Sequence, residues 1–256
     1  MEDRNILLNT FAIRSFREIA DQDYIAARLS FRAQLIPQFL WQSLQALEKY
    51  LKCILVLNRI KAPKSHELAE LIKDLDKSGK FQLRLSDEAK SFIAYLDTYG
   101  RFRYYETPYY TMGRELYSLD RTVWEIRRYA RVLDYELRNA FADGIQMFNL
   151  ELEAIERSES RPPQEFRIIG GLLEQIIEKP KHPSRSALIW NNIYYGKSKR
   201  KSVTYSRMMA SGNSPLSLNP YILDDVLEYV WLPKDVKQAY WKLIEDKEKE
   251  RSGRVK

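Results

Sequence analysis

Cysteine and histidine are the scarcest chemically versatile residues of this 256-residue chain, with one Cys, Cys53, and two His, His66 and His182. A lone cysteine cannot build an internal disulfide framework, and it suits a reducing compartment. His182 stands in a proline-flanked loop with no second His or Cys nearby, so no metal site is expected, and no cofactor. Long apolar runs are absent as well. Nowhere do about 18 apolar residues follow one another, which argues against a membrane-spanning helix. The opening MEDRNILLNTF is charged and lacks the apolar core of a signal peptide. A soluble, cytoplasmic protein without a membrane partner is the expectation. The chain also lacks a P-loop, a dinucleotide-binding glycine motif and a Gly-x-Ser-x-Gly elbow, which removes the common nucleotide-hydrolase, dehydrogenase and esterase readings. No carboxylate pair stands out from ordinary helix-surface acids.

What is present is enough for a packed core: 45% hydrophobic residues and 12% aromatics, the composition of a folded protein. The charge is unevenly placed. Residues 1–160 carry 24 Lys/Arg and 24 Asp/Glu, residues 161–256 carry 18 and 11, and the whole net +7 thus belongs to the C-terminal part. Such asymmetry marks where a polyanion would dock, and is also common on solvated surfaces.

Helical spacing dominates the first 157 residues. In FLWQSLQALEKYLKCILVL the set Leu40, Leu44, Leu47, Leu51, Ile54 and Leu55 recurs by threes and fours and forms one apolar stripe. Pro63 breaks the chain, and Ser65 is placed as the N-cap of HELAELIKDL. Ser86, followed by Asp87 and Glu88, announces another helix that ends at Gly100. A long helix is expected over Leu116, Leu119, Val123, Ile126, Ala130 and Leu133, and a weaker one over 140–157. SESRPPQ at 158–164 is the best linker. Beyond it, short helices are expected near 166–178, 185–195, 220–231 and 233–249, with at most one short strand at 202–205 and no hairpin. The expected fold class is all-α: an antiparallel helical bundle over 1–157, the linker, and a smaller, basic, mostly helical module over 165–256.

The stretch QALEKYLKCILVLNRIKAPKSHELAEL carries a family resemblance. Its helix bearing Ala46, Glu48-Lys49 and Leu51-Lys52, a short loop, then Ser-His-x-Leu opening another helix, resembles the HEPN domain superfamily over roughly residues 10–140. The resemblance implies a helical bundle that commonly dimerises. Members are often encoded beside nucleotidyltransferases, in toxin–antitoxin pairs or in antiviral systems, so a homodimer and a nucleotidyltransferase or antitoxin partner are implied. Many members are metal-independent ribonucleases with an Arg-(4 to 6 residues)-His motif completed across the dimer; others bind RNA or nucleotides without cleaving them.

Arg59 and His66, with six residues between them, are the candidate catalytic pair. RNA supplies its own 2′-hydroxyl nucleophile, so a histidine to move the proton and an arginine to hold the phosphate would suffice. The same residues also read as helix punctuation: a cation at one helix end and a residue at the start of the next. With 23 arginines in the chain, such a spacing is close to what chance supplies. In the nucleolytic members the motif lies later in the bundle, with a polar residue after the Arg, whereas Ile60 follows Arg59.

Two binding surfaces are expected. RFRYYETPYY mixes arginines with aromatics, the pairing that holds phosphates and stacked bases. Opposite the EKYLK helix it would line a cleft with Lys49, Lys52, His66, Arg101, Arg103 and Tyr104. GKSKRKSVTYSR has Lys197, Lys199, Arg200 and Lys201 and no acid, a strip suited to sequence-independent phosphate contact. ALIWNNIYYG offers Trp190, Tyr194 and Tyr195 as stacking surface or as core. Three functions follow: an RNA- or nucleotide-binding HEPN protein of a defence or toxin–antitoxin module, a metal-independent endoribonuclease using Arg59 and His66, or a protein–protein adaptor.

Overall fold

The computed structural model describes residues 2–101, 106–138, 144–196, 200–204 and 209–253. Helix α1 (Glu2–Ala12) runs through a π-helical turn (Ile13–Arg17) into α2 (Glu18–Arg32). A short turn with Gln34 at φ 61° then reverses the chain into α3 (Ile36–Leu57). So short a connection makes neighbouring helices antiparallel. The bundle continues with α4 (Leu68–Lys77), α5 (Asp87–Tyr99) and α6 (Glu115–Arg127). The rest of the chain adds α7 (Phe148–Arg157), α8 (Leu172–Glu178), α9 (Arg185–Ile189), α10 (Pro215–Leu218), α11 (Leu223–Tyr229) and α12 (Lys234–Gly253).

The expected stripe of α3 is the heart of the core, with Leu40, Leu44, Leu47, Leu51, Ile54 and Leu55 all buried. Each such side chain contributes roughly 1.5–3 kcal/mol relative to staying in water. Cys53 is buried with them, and burial pushes its thiol up to about 12, which makes it a packing residue and not a nucleophile. The core does not stop at the 158–164 stretch: Leu173, Ile176, Leu188, Tyr194 and Tyr195 belong to the same cluster as α2, α3 and α6. A second, smaller cluster comprises Leu216, Leu223, Leu232, Val236 and Tyr240.

Several local expectations change. Helix α4 starts at Leu68, not after Ser65, because Asp97 of α5 reaches across and its carboxylate accepts from the Leu68 and Ala69 amides at 2.8 and 3.0 Å. Ser65 instead accepts from the Glu67 amide, and His66 therefore precedes the helix. Ser86 does cap α5, accepting from the Ala89 amide at 3.2 Å. Among the described residues of the 140–157 stretch, helix begins at Phe148. Before it, β2 (Glu136–Arg138) pairs antiparallel with β3 (Gly144–Gln146). The described residues 202–204 form no strand; a strand that was not expected, β4 (Ala210–Gly212), pairs with β1 (Tyr109–Thr111). These strands are three residues long and lack the alternation that makes strands visible in sequence.

Helix α6 is buried except at Tyr117 and Arg121, and several of its buried residues are polar. The Arg127 guanidinium donates to Asp21 of α2 at 2.7 and 3.0 Å and to Glu174 of α8 at 2.7 and 2.8 Å. Burial works against charge on Arg127, but the two carboxylates more than offset it and hold the guanidinium above its ordinary value. For Glu174, burial alone would raise the carboxyl; Arg127 and the Ile168 amide overcome this and hold it below its ordinary 4.5. One arginine thus joins the bundle to the segment after 158–164.

Arg127→Met leaves two buried carboxylates without a counter-charge and should cost about 3–5 kcal/mol in urea denaturation. Because the Glu174 pKa falls on folding, the stability it contributes is complete above pH 4.5 and is lost as pH drops through the lower folded value. Glu174→Gln should remove that part of the acid sensitivity, seen as a flatter stability–pH curve below pH 4.5.

Candidate functional site

Arg59 ends α3 in a left-handed conformation, φ 60°. Its amide bonds the Val56 carbonyl and the Ile60 amide bonds the Leu55 carbonyl, so Arg59 fills the position that usually takes glycine after a helix. Its guanidinium donates to the Asn9 side chain at 2.9 Å and to the Asn5 side chain and carbonyl on α1. His66 faces elsewhere: its Nδ1 lies 3.0 Å from the Glu48 carboxylate on α3, and Lys52 donates to the same oxygen at 2.6 Å. The two candidate catalytic residues therefore have separate partners.

Two of the residues expected to share a cleft, His66 and Arg101, line one pocket of about 360 Å³ with Trp41 and Ser65. Glu67, Asp97 and Asp235 line it too, and Arg101 is ion-paired with Asp235 at 2.5 Å and Glu67 at 3.5 Å. Lys49 pairs with Asp23 at 2.6 Å and Lys52 with Glu48 at 2.6 Å. Neither lysine lines this pocket, whose acids make it a poor host for phosphate. Arg103 and Tyr104 lie outside the described residues, as do Lys197 and Lys199. Tyr110 of the same aromatic segment packs its ring against Tyr95 and Tyr99, with centroids 6.1 and 5.6 Å away, and so pads a helix connection.

A second pocket has a different character. Phe31, Tyr117, Trp190 and Arg200 surround about 440 Å³ at the start of α6, and no carboxylate lines it among the described residues. Its construction explains the WNNIYY stretch. Asn192, fully buried, donates to the Tyr24 hydroxyl at 2.8 Å and the Leu188 carbonyl at 3.0 Å, while its oxygen accepts from the Tyr194 and Tyr195 amides. Tyr194 and Tyr195 are thereby turned into the core, and Trp190 stays 37% exposed. Arg28, buried against Asp120, donates to the Ala187 carbonyl at 3.0 Å and to the Trp190 carbonyl, pinning the backbone beneath the indole.

Asn191, at a φ of 49° that asparagine tolerates better than most, exchanges two hydrogen bonds with the Thr204 backbone and holds the 200–204 segment against the pocket. Arg200 donates to the Ile189 carbonyl at 2.8 Å, Arg32 lies 5.4 Å over the Trp190 ring, and Lys201, next to Arg200 in sequence, is exposed. Sequence reasoning placed Trp190 and Arg200 on separate surfaces. Phe31 and Tyr117 had no sequence signal beyond being aromatic.

Residues 13–133, from the π-helical turn through α6, match the family model of the HEPN domain. Neither a curated protein nor a solved structure matches the chain. The matched segment supplies Phe31 and Tyr117 of the second pocket, and the segment after it supplies Trp190 and Arg200. No helix among the described residues is long and apolar enough to cross a membrane, and no group of His, Cys, Asp or Glu among them could hold a metal ion.

The Asp97 cap gives a direct check on the loop that carries His66. Asp97→Ala should cost about 1 kcal/mol and speed hydrogen exchange at the Leu68 and Ala69 amides, with exchange in α2 unchanged.

Proposed function

We propose that this protein is an RNA- or nucleotide-binding HEPN protein and that the Trp190 pocket is its base-stacking site. The observation that carries the reading is the joining of three aromatic side chains with Arg200 in one pocket lined by no described carboxylate. Aromatic faces stack any base, and a nearby guanidinium takes the phosphate, the pairing that serves single-stranded nucleic acid. Lys201 next to Arg200, and the flanking Lys197 and Lys199 in sequence, extend the phosphate track. A role in a defence or toxin–antitoxin module, with a nucleotidyltransferase or antitoxin partner, belongs to the same reading through the HEPN resemblance. So does a homodimer, for which α1 presents exposed Ile6, Leu7 and Phe11.

Binding comes before cleavage in this reading because Arg59 is engaged by α1 and His66 by Glu48. The endoribonuclease alternative requires both to meet one phosphate. If single-stranded RNA is cut in EDTA by the wild type and not by His66→Ala, that alternative replaces binding alone. The adaptor alternative has its own support in the exposed Tyr229 and Trp231, 85% and 77% accessible, since large exposed apolar groups mark protein contacts.

Trp190→Ala should weaken binding of a short single-stranded RNA by about 1–3 kcal/mol in a fluorescence titration at low salt. Arg200→Gln with Lys201→Gln should lower the slope of log affinity against log salt by about 1 for each phosphate that the variant no longer neutralises. Equal affinity of Trp190→Ala and the wild type would remove the stacking site, and no RNA or nucleotide binding at low salt would leave the adaptor.

A further inference from the structure

Arg128 is a buried charge that the protein leaves incompletely neutralised. Arg28, Arg127 and Arg128 are among the largest fully buried side chains. Arg28 meets Asp120, and Arg127 meets Asp21 and Glu174, with all three carboxylates at least nine-tenths buried. Arg128 has the Ile155 carbonyl at 3.0 Å, the Ser158 hydroxyl at 2.8 Å and, at 3.4 Å, the Glu159 carboxylate, whose side chain is 41% exposed. Its Nε has no hydrogen-bond partner, although the guanidinium stacks 4.0 Å from the Trp124 ring centre. Burial accordingly draws Arg128 below its ordinary value, whereas Arg28 and Arg127 are held above theirs.

A pocket of about 430 Å³ opens on this side chain. Arg84 from the stretch before α5, Lys90 from α5 and Arg121 from α6 line it, and Ser86, the N-cap of α5, lies in its wall. Trp124, 6% exposed, also lines it, and its Nε1 donor has no partner either. Four cationic side chains therefore meet two lining carboxylates, Glu125 and Glu159. Arg121 is held by Glu125 at 2.9 Å and Glu88 at 3.3 Å, Arg84 by Glu156 at 2.7 Å, and Lys90 only loosely by Asp87 at 3.7 Å.

We propose that this pocket is a phosphate-binding site, in which the phosphate completes the neutralisation of Arg128 and is gathered by Arg84, Lys90 and Arg121. Guanidinium groups suit a phosphate because their N–H donors match pairs of its oxygens. The site is distinct from the Trp190 pocket and is joined to it along α6. Tyr117, Arg121, Trp124 and Arg128 are three or four residues apart and share one helix face. Tyr194 fills the interval, its ring 5.9 Å from Tyr117 and 5.6 Å from Trp124. The axial step from Tyr117 to Trp124 is about 10 Å. A free phosphate or phosphomonoester fits this chemistry, and so does the backbone of an RNA whose base stacks at Trp190.

Inorganic phosphate titrated into the full chain at constant ionic strength, with chloride as control, should bind saturably by phosphorus NMR and calorimetry. The double variant Arg84→Gln/Lys90→Gln, at two exposed positions, should bind at least about threefold more weakly. Arg128→Lys, which keeps the charge and loses the fork, should bind more weakly too. Trp190→Ala should bind phosphate like the wild type, which separates this site from the stacking reading. With a short RNA, weaker binding by Arg84→Gln/Lys90→Gln identifies an RNA phosphate as the ligand. Unchanged RNA affinity beside weakened phosphate binding identifies a free phosphate or phosphomonoester. No saturable phosphate binding by the wild type, or equal binding by the double variant, overturns the proposal.

Discussion

The bidentate contacts of Arg127 with Asp21 and Glu174 are the constraint on which the architecture depends. A guanidinium taken out of water must find carboxylates with good geometry, and here they come from helices 106 and 47 residues away along the chain. Satisfying one arginine therefore sets α2, α6 and α8 in a single arrangement. Arg28 repeats the device with Asp120, to which the Tyr24 hydroxyl also donates, and with the Ala187 and Trp190 carbonyls. Helix α6 can be buried on nearly all sides because Asp120 and Arg127 find their counter-charges on other helices across the core, while Arg121 pairs with Glu125 on α6 itself.

These ion pairs also build the candidate site. Arg28 fixes the backbone under Trp190, and Asn192 turns the two following tyrosines inward, so that one aromatic side chain of the stretch is left to face a pocket. Such supporting bonds give a binding surface its geometry. The acidic pocket around His66 shows the opposite outcome. Three carboxylates, Glu67, Asp97 and Asp235, line it against one arginine, Arg101, and the acids set the local field.

Much of the fold was legible because helical periodicity reports one-dimensional facts. The α3 stripe, the Ser86 cap and the HEPN resemblance all rest on spacings within about twenty residues. The start of α4 was not legible, since its cap is Asp97 from another helix. The two small sheets were not legible either, because a three-residue strand is made by its partner and not by its own pattern. Of the site, Trp190 and Arg200 were visible as residue types, but not their meeting with Phe31 and Tyr117.

By itself the sequence determined the all-α class, the core-facing stripes, the single thiol and the basic C-terminal part. Those properties follow from local spacing and composition, which survive any folding of the chain. Only the tertiary structure decided which charges are neutralised, which aromatic rings are buried and which remain open to a pocket. Coulomb interactions and burial depend on distance through space, and the chain encodes that distance only once it has folded.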